Sequence, residues 1–283
     1  MILKTRELIK KFIKIPRNLE NKIPQKYYRV GEIILIRIPK ELDRWKYEIG
    51  EVLLKNLPSA KTVCKIEGMY GIERKPKIEV LAGNGTETIL RENKCLFKLD
   101  VSKIMVSKGN VYERQRLPKL VKDGEVIVDM FAGIGYFTIP IAKFANPKKI
   151  YAIDINPDAI YYLKENLRLN KVSHKVVPIL GDCREISNKL KHVADRVIMG
   201  YIKTRQFLSY AFKFLKKEGG IIHYHDVFKQ EEIFDVPINL VKNAAKEFGF
   251  EAKILFKRKV KSYAPKVYHV VLDVEVRKSD QKL

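Results

Sequence analysis

The sequence contains few cysteines, and their arrangement excludes two classes of protein. The 283-residue chain has three, Cys64, Cys95 and Cys183, which lie far apart. This number and spacing fit neither a disulfide framework nor a CxxC metal site. We therefore expect reduced, mostly buried cysteines and no structural metal.

Long apolar runs are also absent. No stretch of about 18 consecutive apolar residues occurs, so the sequence predicts no membrane span. Residues 1–7 (MILKTRE) include charges where a signal peptide requires an apolar core. We expect a cytoplasmic protein and treat it as a monomer.

Acidic residues are scarce relative to basic ones. The chain has 56 lysines and arginines against 33 aspartates and glutamates, a formal net charge of +23. Such a surplus favours a polyanionic partner, because each phosphate contact releases counterions. Lysine-rich surfaces also occur in thermophile proteins, but there glutamate usually rises along with lysine. We expect a nucleic acid as substrate or partner.

Residues 1–100 have the pattern of a separate module that mixes helices and strands. The predicted elements are a basic helix over 5–12, a helix over 42–57, and strands over 32–38, 62–67, 77–82, 87–91 and 96–100. Gly83-Asn84-Gly85 is a turn signal between two of these strands. We expect one small, largely antiparallel sheet in an N-terminal α+β domain.

From Gly124 onwards, predicted strands alternate with predicted helices. The strands cover 126–129, 150–154, 176–180, 194–199, 220–225, 252–259 and 268–276, and the helices cover 138–144, 158–170, 184–190, 204–215 and 237–248. This alternation is typical of an α/β fold with a doubly wound, mostly parallel sheet. The short loop between the last two strands indicates a hairpin, with one strand antiparallel at the sheet edge. We predict a domain over residues 124–283 and a connector over residues 101–123.

Three consecutive predicted strands of this domain each end in an acidic residue. These residues are Asp129, Asp154 and Asp182. Because the carboxyl ends of parallel strands meet at one edge of a sheet, the three carboxylates should face the same crevice. The pattern predicts a ligand of nucleoside type at this edge.

A glycine turn follows the first of these strands. Gly133-x-Gly135 allows the backbone to turn sharply and to approach a ligand closely. A dinucleotide fold favours G-x-G-x-x-G beneath a pyrophosphate, but here the third position is Thr138. In addition, the nearby carboxylate of Asp129 would repel a pyrophosphate, whereas it would attract an ammonium group.

The other two acids complete the interpretation of the ligand. Asp154 follows Gly133 by about twenty residues, the spacing at which an acid binds the hydroxyl pair of a ribose. Asp182, with Cys183 beside it, lies where the exocyclic amine of an adenine could be bound. An ammonium group, a ribose and an adenine without phosphate describe S-adenosylmethionine, so we predict this molecule as the cofactor.

Three motifs and the connector resemble a known family. Asp129-Met-Phe-Ala-Gly-Ile-Gly-Tyr-Phe-Thr138, Asp154-Ile-Asn-Pro157 and Gly181-Asp-Cys-Arg184 are similar to the class I S-adenosylmethionine-dependent tRNA enzymes. They are most similar to the archaeal and eukaryotic group that acts on position 37, beside the anticodon, and the connector Ser107-Lys-Gly-Asn-Val-Tyr-Glu-Arg114 resembles the same group. The resemblance covers about residues 30–275. It implies a class I methyltransferase-like, Rossmann-type, mostly parallel sheet, together with a smaller N-terminal α+β domain that contacts tRNA.

Two activities occur in the family that the chain resembles. One is guanine-37 N1-methylation, and the other is transfer of a 3-amino-3-carboxypropyl group to 4-demethylwyosine in phenylalanine tRNA. Methylating members have Asn-Leu-Pro or a similar turn after the fourth strand, whereas this chain has Met199-Gly-Tyr-Ile202. The difference favours aminocarboxypropyl transfer. Methylation is the alternative, and a non-catalytic, basic RNA-binding protein is an alternative of another class.

The resemblance also implies roles for individual residues. Those expected at the cofactor are Ser107, Lys108, Arg114, Asp129, Phe131, Gly133, Asp154, Asp182 and Cys183. Lys108 and Arg114 are expected to contact the carboxylate of the amino-acid arm, and Phe131 is expected to line the adenosine pocket. No catalytic residue is certain, because positioning can suffice when the leaving group is already activated. The candidates are Tyr201 and His225.

Two further features have less specific interpretations. His223-Tyr-His225 places two imidazoles on one strand face, an arrangement that can bind metal, but a polar strand end is the simpler interpretation. We predict no metal.

Contacts to tRNA are expected from the N-terminal module and from Arg205, Lys213, Lys216, Lys217, Lys257, Arg258, Lys259 and Lys261.

Overall fold

The computed structural model describes residues 5–71, 75–106 and 109–279. Ser107 and Lys108, both expected at the cofactor, lie outside the described residues. The chain divides into two compact units, Met1–Val106 and Ser107–Leu283. No helix among the described residues combines the length and the apolar composition needed to cross a membrane.

The described residues of the first unit form two α-helices and two sheets. Its elements are α1 (Thr5–Phe12), β1 (Tyr28–Val30), β2 (Ile33–Ile36), α2 (Lys46–Asn56), β3 (Thr62–Tyr70), β4 (Lys75–Gly83), β5 (Glu87–Glu92) and β6 (Cys95–Asp100). One sheet has the order β1-β2-β3-β4, with β2 and β3 parallel and the other pairs antiparallel. Its core is formed by buried residues of α1, α2 and the sheet, including Ile9, Ile34, Leu53 and Val63.

The expectation of one sheet in this unit is wrong, because β5 and β6 form a separate two-stranded sheet. The chain leaves the larger sheet at Gly83, where φ is 75° and an added Cβ would lie 2.1 Å from the carbonyl oxygen of Lys61. Asn93 and Lys94, with φ of 51° and 61°, then close the β5–β6 hairpin. Positive φ at both central residues is typical of the type I′ turn that joins two-stranded hairpins.

The second unit has one large sheet between two layers of helices. Its elements are α3 (Val111–Arg116), β7 (Val126–Asp129), α4 (Thr138–Phe144), β8 (Lys149–Asp154), α5 (Pro157–Leu169), β9 (Val176–Leu180), α6 (Cys183–Lys189), β10 (Arg196–Met199), α7 (Leu208–Phe214), β11 (Gly219–Lys229), α8 (Asp235–Glu247), β12 (Phe250–Ala264) and β13 (Val267–Lys278). The strand order is β12-β13-β11-β10-β7-β8-β9. Only β13 runs antiparallel to its neighbours, so the predicted α/β fold with a mostly parallel sheet is confirmed.

The strand order reverses at β7. The chain continues from β7 to β8 and β9 on one side, whereas β10 lies on the other side. In doubly wound sheets, ligands bind in the crevice outside the carboxyl ends of the strands at such a switch point. The glycine turn after β7 therefore lies where a ligand is expected.

The two faces of this sheet differ in composition. Val128, Val197 and Ile222 belong to an apolar core with residues of α7 and α8. On the opposite face, the register places Asp129 beside Ile198, Ile198 beside His223, and His223 beside Asp273. Because side chains of neighbouring registered residues project from the same face, this row brings polar groups into the interior.

Candidate active site

The glycine turn after β7 is tied to the end of β8. The backbone N–H of Gly133 donates to Oδ2 of Asp154 at 2.7 Å, and Asn156 N–H donates to Oδ1 at 2.9 Å. Gly133 and Gly135 have φ of 54° and 96°, values that favour glycine. A Cβ at Gly135 would also lie 2.8 Å from a methyl carbon of Leu163. Asp154 therefore holds the turn at a fixed distance from the strand that bears it.

Asp129 is a buried carboxyl at the base of the same turn. Its Oδ2 accepts a hydrogen bond from the Thr138 hydroxyl at 2.8 Å, and its Oδ1 accepts one from Phe131 N–H at 3.3 Å. Burial raises the pKa of Asp129 to about 7, although the Thr138 hydrogen bond lowers it. A nearby cationic group would favour the ionised form.

The raised pKa of Asp129 predicts a pH dependence of cofactor binding. If the ammonium group of the amino-acid arm binds beside the ionised carboxylate, binding releases a proton, so affinity increases with pH. We expect an increase of about tenfold between about pH 5.5 and about pH 7, measured by calorimetry. The stability of the ligand-free protein changes in the opposite direction and decreases as the pH rises. The protonated carboxyl stabilises the fold, and this stabilisation is lost as the pH rises through about 7.

The matched variant for this measurement is Asp129→Asn, which keeps the shape of the side chain and cannot ionise. Its affinity should be nearly independent of pH over the same interval. An equal slope in the wild type and the variant would contradict the placement of the ammonium group beside Asp129.

Asp182 is the N-cap of α6 and is paired with Arg184. Its Oδ1 accepts the Arg184 backbone N–H at 2.8 Å, and the Arg184 guanidinium donates to both carboxylate oxygens at 2.5–3.0 Å. These hydrogen bonds lower the pKa of Asp182. An adenine amine at Asp182 would have to share the carboxylate with this guanidinium.

Cys183, expected at the adenine, is buried among apolar side chains that include Met130 and Ile186. Burial raises the pKa of its thiol to about 12, so the side chain is a neutral part of the core. Its backbone, at the first turn of α6, remains the part of the residue suited to a ligand contact.

Aromatic side chains lie close together at this edge of the sheet. The ring of Phe131 is 5.4 Å from that of Tyr201 and 5.1 Å from that of Phe207, measured between centroids. Arg184 lies over Phe207 at 5.6 Å. The structure therefore brings together three of the residues predicted from sequence. Phe131 and Tyr201 are in direct contact, and Asp182 is linked to them through Arg184 and Phe207.

The connector contributes Arg114 to the other side of the glycine turn. Arg114 is 1% exposed, and its guanidinium carbon lies 4.1 Å from the centroid of the Tyr136 ring. Tyr136 directly follows Gly135 in the turn. Arg114 is thus held against the glycine turn, and its contact with the carboxylate of a ligand stays a prediction.

A buried polar network on α3, β11 and β13 was not predicted from sequence. Arg116 donates to Glu113 at 2.7 and 2.9 Å and to both oxygens of Asp273. His223 Nδ1 donates to Asp273 at 2.6 Å, and His223 Nε2 accepts from Arg196 at 2.7 Å. Since arginine can only donate, the contact with Arg196 fixes His223 as a neutral imidazole protonated at Nδ1.

His225 has a different environment from His223, although both project from the same face of β11. Its Nδ1 lies 3.2 Å from Nε2 of His269, and its ring packs against the edge of Phe137 at 5.5 Å between centroids. Burial, with a smaller contribution from His269, lowers the pKa of His225 well below its ordinary value. His225 is therefore neutral, and with 0% exposure it lies too deep for direct contact with a nucleotide base in this conformation.

Several buried polar atoms of the second unit have no hydrogen-bond partner among the described residues. They include Asn110 Oδ1, His225 Nε2 and His269 Nδ1. Buried polar atoms are normally satisfied, so such a group is consistent with a polar ligand. His225 packs against Phe137, which follows the glycine turn, and this leaves its Nε2 available to a polar group of a ligand bound at the turn.

The polar pattern of β13 could have revealed part of this group. His269 and Asp273 are the polar residues of the segment His269-Val-Val-Leu-Asp273, and both lie on the face occupied by His223. No sequence pattern, however, pairs them with particular residues of β11.

Within the described part of the chain, no set of three or more His, Cys, Asp or Glu side chains is arranged to hold a metal ion.

Some of the basic residues expected at tRNA are engaged within the fold. Arg258 lies over the Tyr112 ring at 3.6 Å and is 3.6 Å from Glu113. Lys216 pairs with Asp195 at 2.6 Å. Arg258 is therefore better described as part of the connector packing than as a free RNA contact.

Two family descriptions match the chain. The TRM5/TYW2 methyltransferase domain matches residues 88–255, and the TYW2 N-terminal domain matches residues 5–86. The two matches together span most of the chain.

Relatives with each of the two activities are similar to this chain over most of their own length. The tRNA(Phe) (4-demethylwyosine(37)-C(7)) aminocarboxypropyltransferase of Methanocaldococcus jannaschii is 46% identical over 256 residues, which are 88% of this chain and 97% of the relative. The tRNA (guanine(37)-N(1))-methyltransferase Trm5b of Pyrococcus abyssi is 39% identical over 94% of this chain and 79% of the relative. The crystal structure of P. horikoshii TYW2 in complex with MeSAdo has a TM-score of 0.83 at 37% identity, covering 97% of this chain and 98% of that one.

Proposed function

This chain belongs to the TRM5/TYW2 methyltransferase-domain family, and we propose that it is an S-adenosylmethionine-dependent tRNA aminocarboxypropyltransferase. Its reaction transfers the 3-amino-3-carboxypropyl group to the side-ring carbon C7 of 4-demethylwyosine at position 37 of phenylalanine tRNA. The observation that supports this choice most is the near-complete overlap with the M. jannaschii aminocarboxypropyltransferase, at 46% identity and 97% coverage of that protein. The loop Gly200-Tyr-Ile202, which contains neither Asn nor Pro, agrees with it.

The residues of the glycine turn and its neighbours are proposed to hold S-adenosylmethionine. Bound there, its sulfonium supplies three activated carbons, any of which a nucleophile can attack. Asp154 would accept the ribose hydroxyls, Asp182 and the backbone of Cys183 would contact the adenine, and Phe131 would line the adenosine pocket. Gly133 allows close approach of the backbone.

The amino-acid arm is assigned to the connector side. Arg114, fixed over Tyr136 next to the turn, supplies positive charge for a carboxylate. The buried Nε2 of His225 is proposed to hydrogen-bond a polar group of the arm, a role that suits its depth better than contact with a base. Ser107 and Lys108 belong to the same proposed set by resemblance alone.

Tyr201 is assigned to the acceptor base. It is the second residue of the loop after β10, with its ring beside Phe131, and a flat ring there offers a stacking surface for a splayed nucleotide. The reaction needs correct placement of the acceptor carbon about 3–3.5 Å from the carbon attacked, and a rigid aromatic surface favours such placement. We therefore propose a positioning mechanism with no obligatory general base.

The macromolecular substrate is proposed to be tRNA, recognised near its anticodon. The net charge of +23 agrees with a polyanion, whose binding should weaken as salt rises. A cytoplasmic location and a monomeric state, both expected from sequence, are part of the same proposal.

Labelled cofactor distinguishes the proposed reaction from its alternatives. The enzyme is incubated with tRNA containing 4-demethylwyosine and S-adenosylmethionine labelled in either the carboxyl or the methyl carbon. We expect carboxyl label in the tRNA and release of methylthioadenosine. Methyl label in the tRNA, with release of S-adenosylhomocysteine, would contradict the proposal.

The same assay on two further substrates separates the remaining alternatives. tRNA with unmodified guanosine at position 37 should accept neither label, whereas the guanine-37 N1-methyltransferase alternative predicts methyl incorporation there. Binding of tRNA without transfer of either label to any substrate would support the non-catalytic RNA-binding alternative.

A further inference from the structure

The loop after β10 is held in place by a carboxylate from the neighbouring strand. Asp226, near the carboxyl end of β11, accepts the backbone N–H of Lys203 on Oδ1 at 2.6 Å and that of Arg205 on Oδ2 at 3.0 Å. The Tyr224 hydroxyl also donates to Oδ2 at 3.0 Å. A second link joins the same segments, because the Thr204 hydroxyl donates to the carbonyl of His225.

The loop depends on this anchor, because its backbone is not in an ordinary conformation. Lys203 has a φ of 63°, in the left-handed region that residues with a Cβ rarely adopt. Such conformations persist only where the surroundings impose them. Asp226 is 2% exposed, so its hydrogen bonds to the loop are shielded from water. Its carboxylate, which accepts backbone N–H groups on both sides of Thr204, thus helps to impose the turn.

The first residues of the loop are fixed from the opposite side. A Cβ at Gly200 would lie 2.5 Å from the ring of Phe137, so the backbone there is in direct contact with that ring. Phe137 in turn packs against His225. Tyr201, the next residue, has its ring against Phe131. The position of Tyr201 is therefore determined by Phe137 before it and by Asp226 after it.

We propose that Asp226 is a positioning residue that, through the loop formed by residues 200–205, fixes where the acceptor base lies relative to the sulfonium. The inference rests on the proposed function, because it assigns the acceptor base to Tyr201. In the reaction, a bond forms between C7 of the base and Cγ of the amino-acid arm while the Cγ–S bond breaks. The electron pair stays on sulfur, methylthioadenosine leaves, and the proton on C7 passes to water. A displacement of about 1 Å in the base would reduce the rate sharply and change which sulfonium carbon lies in line.

The anchor predicts a graded effect of substitution. Asp226→Ala removes both acceptors, and we expect kcat for tRNA modification to fall about 30-fold, while the cofactor Kd stays within about twofold. Asp226→Asn retains an oxygen for Lys203 N–H but presents an amide nitrogen towards Arg205 N–H, so it should restore only part of the rate. The ratio of methyl to carboxyl label entering tRNA should rise in both variants.

Asp195→Asn is the matched control. Asp195 also joins two strands through its carboxylate, accepting Val126 N–H at 2.8 Å and pairing with Lys216, but it lies at the amino end of β10. It should lower the melting temperature without changing the label ratio or the cofactor Kd. Melting curves of all variants separate loss of folding from loss of positioning.

The outcomes are distinct for the anchor and for the proposed function. The proposed role of Asp226 would be overturned by an Asp226→Ala enzyme that is folded, binds cofactor normally and keeps both the wild-type kcat and the wild-type label ratio. Loss of rate with an unchanged ratio and no partial rescue by asparagine would also overturn it. Methyl transfer by the wild type would instead refute the proposed function, and the anchor would then be tested by the fall in the rate of methyl incorporation alone.

Discussion

Replacement of Asp154 by alanine is expected to abolish measurable binding of S-adenosylmethionine while tRNA affinity changes by less than about twofold. The carboxylate is proposed to accept two ribose hydroxyls, and hydrogen bonds to a charged group each contribute about 1.5–3 kcal/mol. The loss of both therefore corresponds to at least a hundredfold in Kd, since about 1.4 kcal/mol is tenfold.

The geometry of the glycine turn increases this effect. Asp154 accepts the N–H of Gly133 at 2.7 Å and that of Asn156 at 2.9 Å, so alanine also frees the turn that is proposed to approach the ligand. The ligand would then have to reorder the turn as it binds. tRNA is expected to bind through the basic surface, which this substitution does not touch.

Calorimetry for the cofactor and filter binding for tRNA test the Asp154 prediction. Asp195→Asn is the control, because it removes a comparable carboxylate from the opposite end of the sheet and should leave both affinities unchanged. A parallel loss of cofactor and tRNA binding in Asp154→Ala would contradict the ribose role and indicate unfolding.

The sequence predicts the second unit well, because its elements have strong local signals. Helix α4 over Thr138–Phe144 and strand β7 over Val126–Asp129 agree with prediction to the residue. Strand–helix alternation alone indicates a parallel sheet, and three strands that end in acids locate its functional edge. Local periodicity and strand ends are sufficient for these features.

Contacts between distant residues could not be predicted. His223 and Asp273 meet because β13 is inserted antiparallel beside β11, and a shift of one residue in that register would place Asp273 on the opposite face. Nothing in the local sequence specifies this register. The same holds for Asp226, whose partners lie in a loop after another strand.

In the first unit, the sequence predicts the strands but not how they pair. The strands near β5 (Glu87–Glu92) and β6 (Cys95–Asp100) were expected, but their separation from the larger sheet depends on the conformation of Gly83. A glycine turn signal indicates that the chain turns, and it does not indicate whether the next strand rejoins the same sheet.

Replacement of Asp273 by alanine is expected to destabilise the fold by about 3–5 kcal/mol, because it leaves buried partners without their shared anion. Asp273 accepts hydrogen bonds from Arg116 and from His223 Nδ1, and it is 3% exposed. In the variant, His223 Nδ1–H loses its acceptor, and Arg116 keeps its hydrogen bonds to Glu113 but loses those to Asp273. For a chain of this size, the expected fall in melting temperature is about 10 °C.

The pH dependence of this contribution follows from the same contacts. Burial alone would raise the pKa of Asp273, but the hydrogen bonds from His223 and Arg116 lower it well below its usual range. A lowered carboxyl pKa stabilises the fold above the unfolded value, and the stabilisation is lost as the pH falls through the folded one. The difference between wild type and Asp273→Ala should therefore be constant near neutrality and should decrease only in acid, below about pH 4.

Two variants distinguish charge from packing at this position. Asp273→Asn keeps an acceptor for His223 and removes the anion, so it should lose less stability than alanine. Glu275→Gln alters a carboxylate two residues further along β13 that pairs with the exposed Arg277, and it should change stability by less than about 0.5 kcal/mol. Urea unfolding measures the free energy of unfolding of Asp273→Ala, Asp273→Asn and Glu275→Gln. Equal, small losses for Asp273→Ala and Glu275→Gln would show that the buried network contributes no more to stability than a surface ion pair.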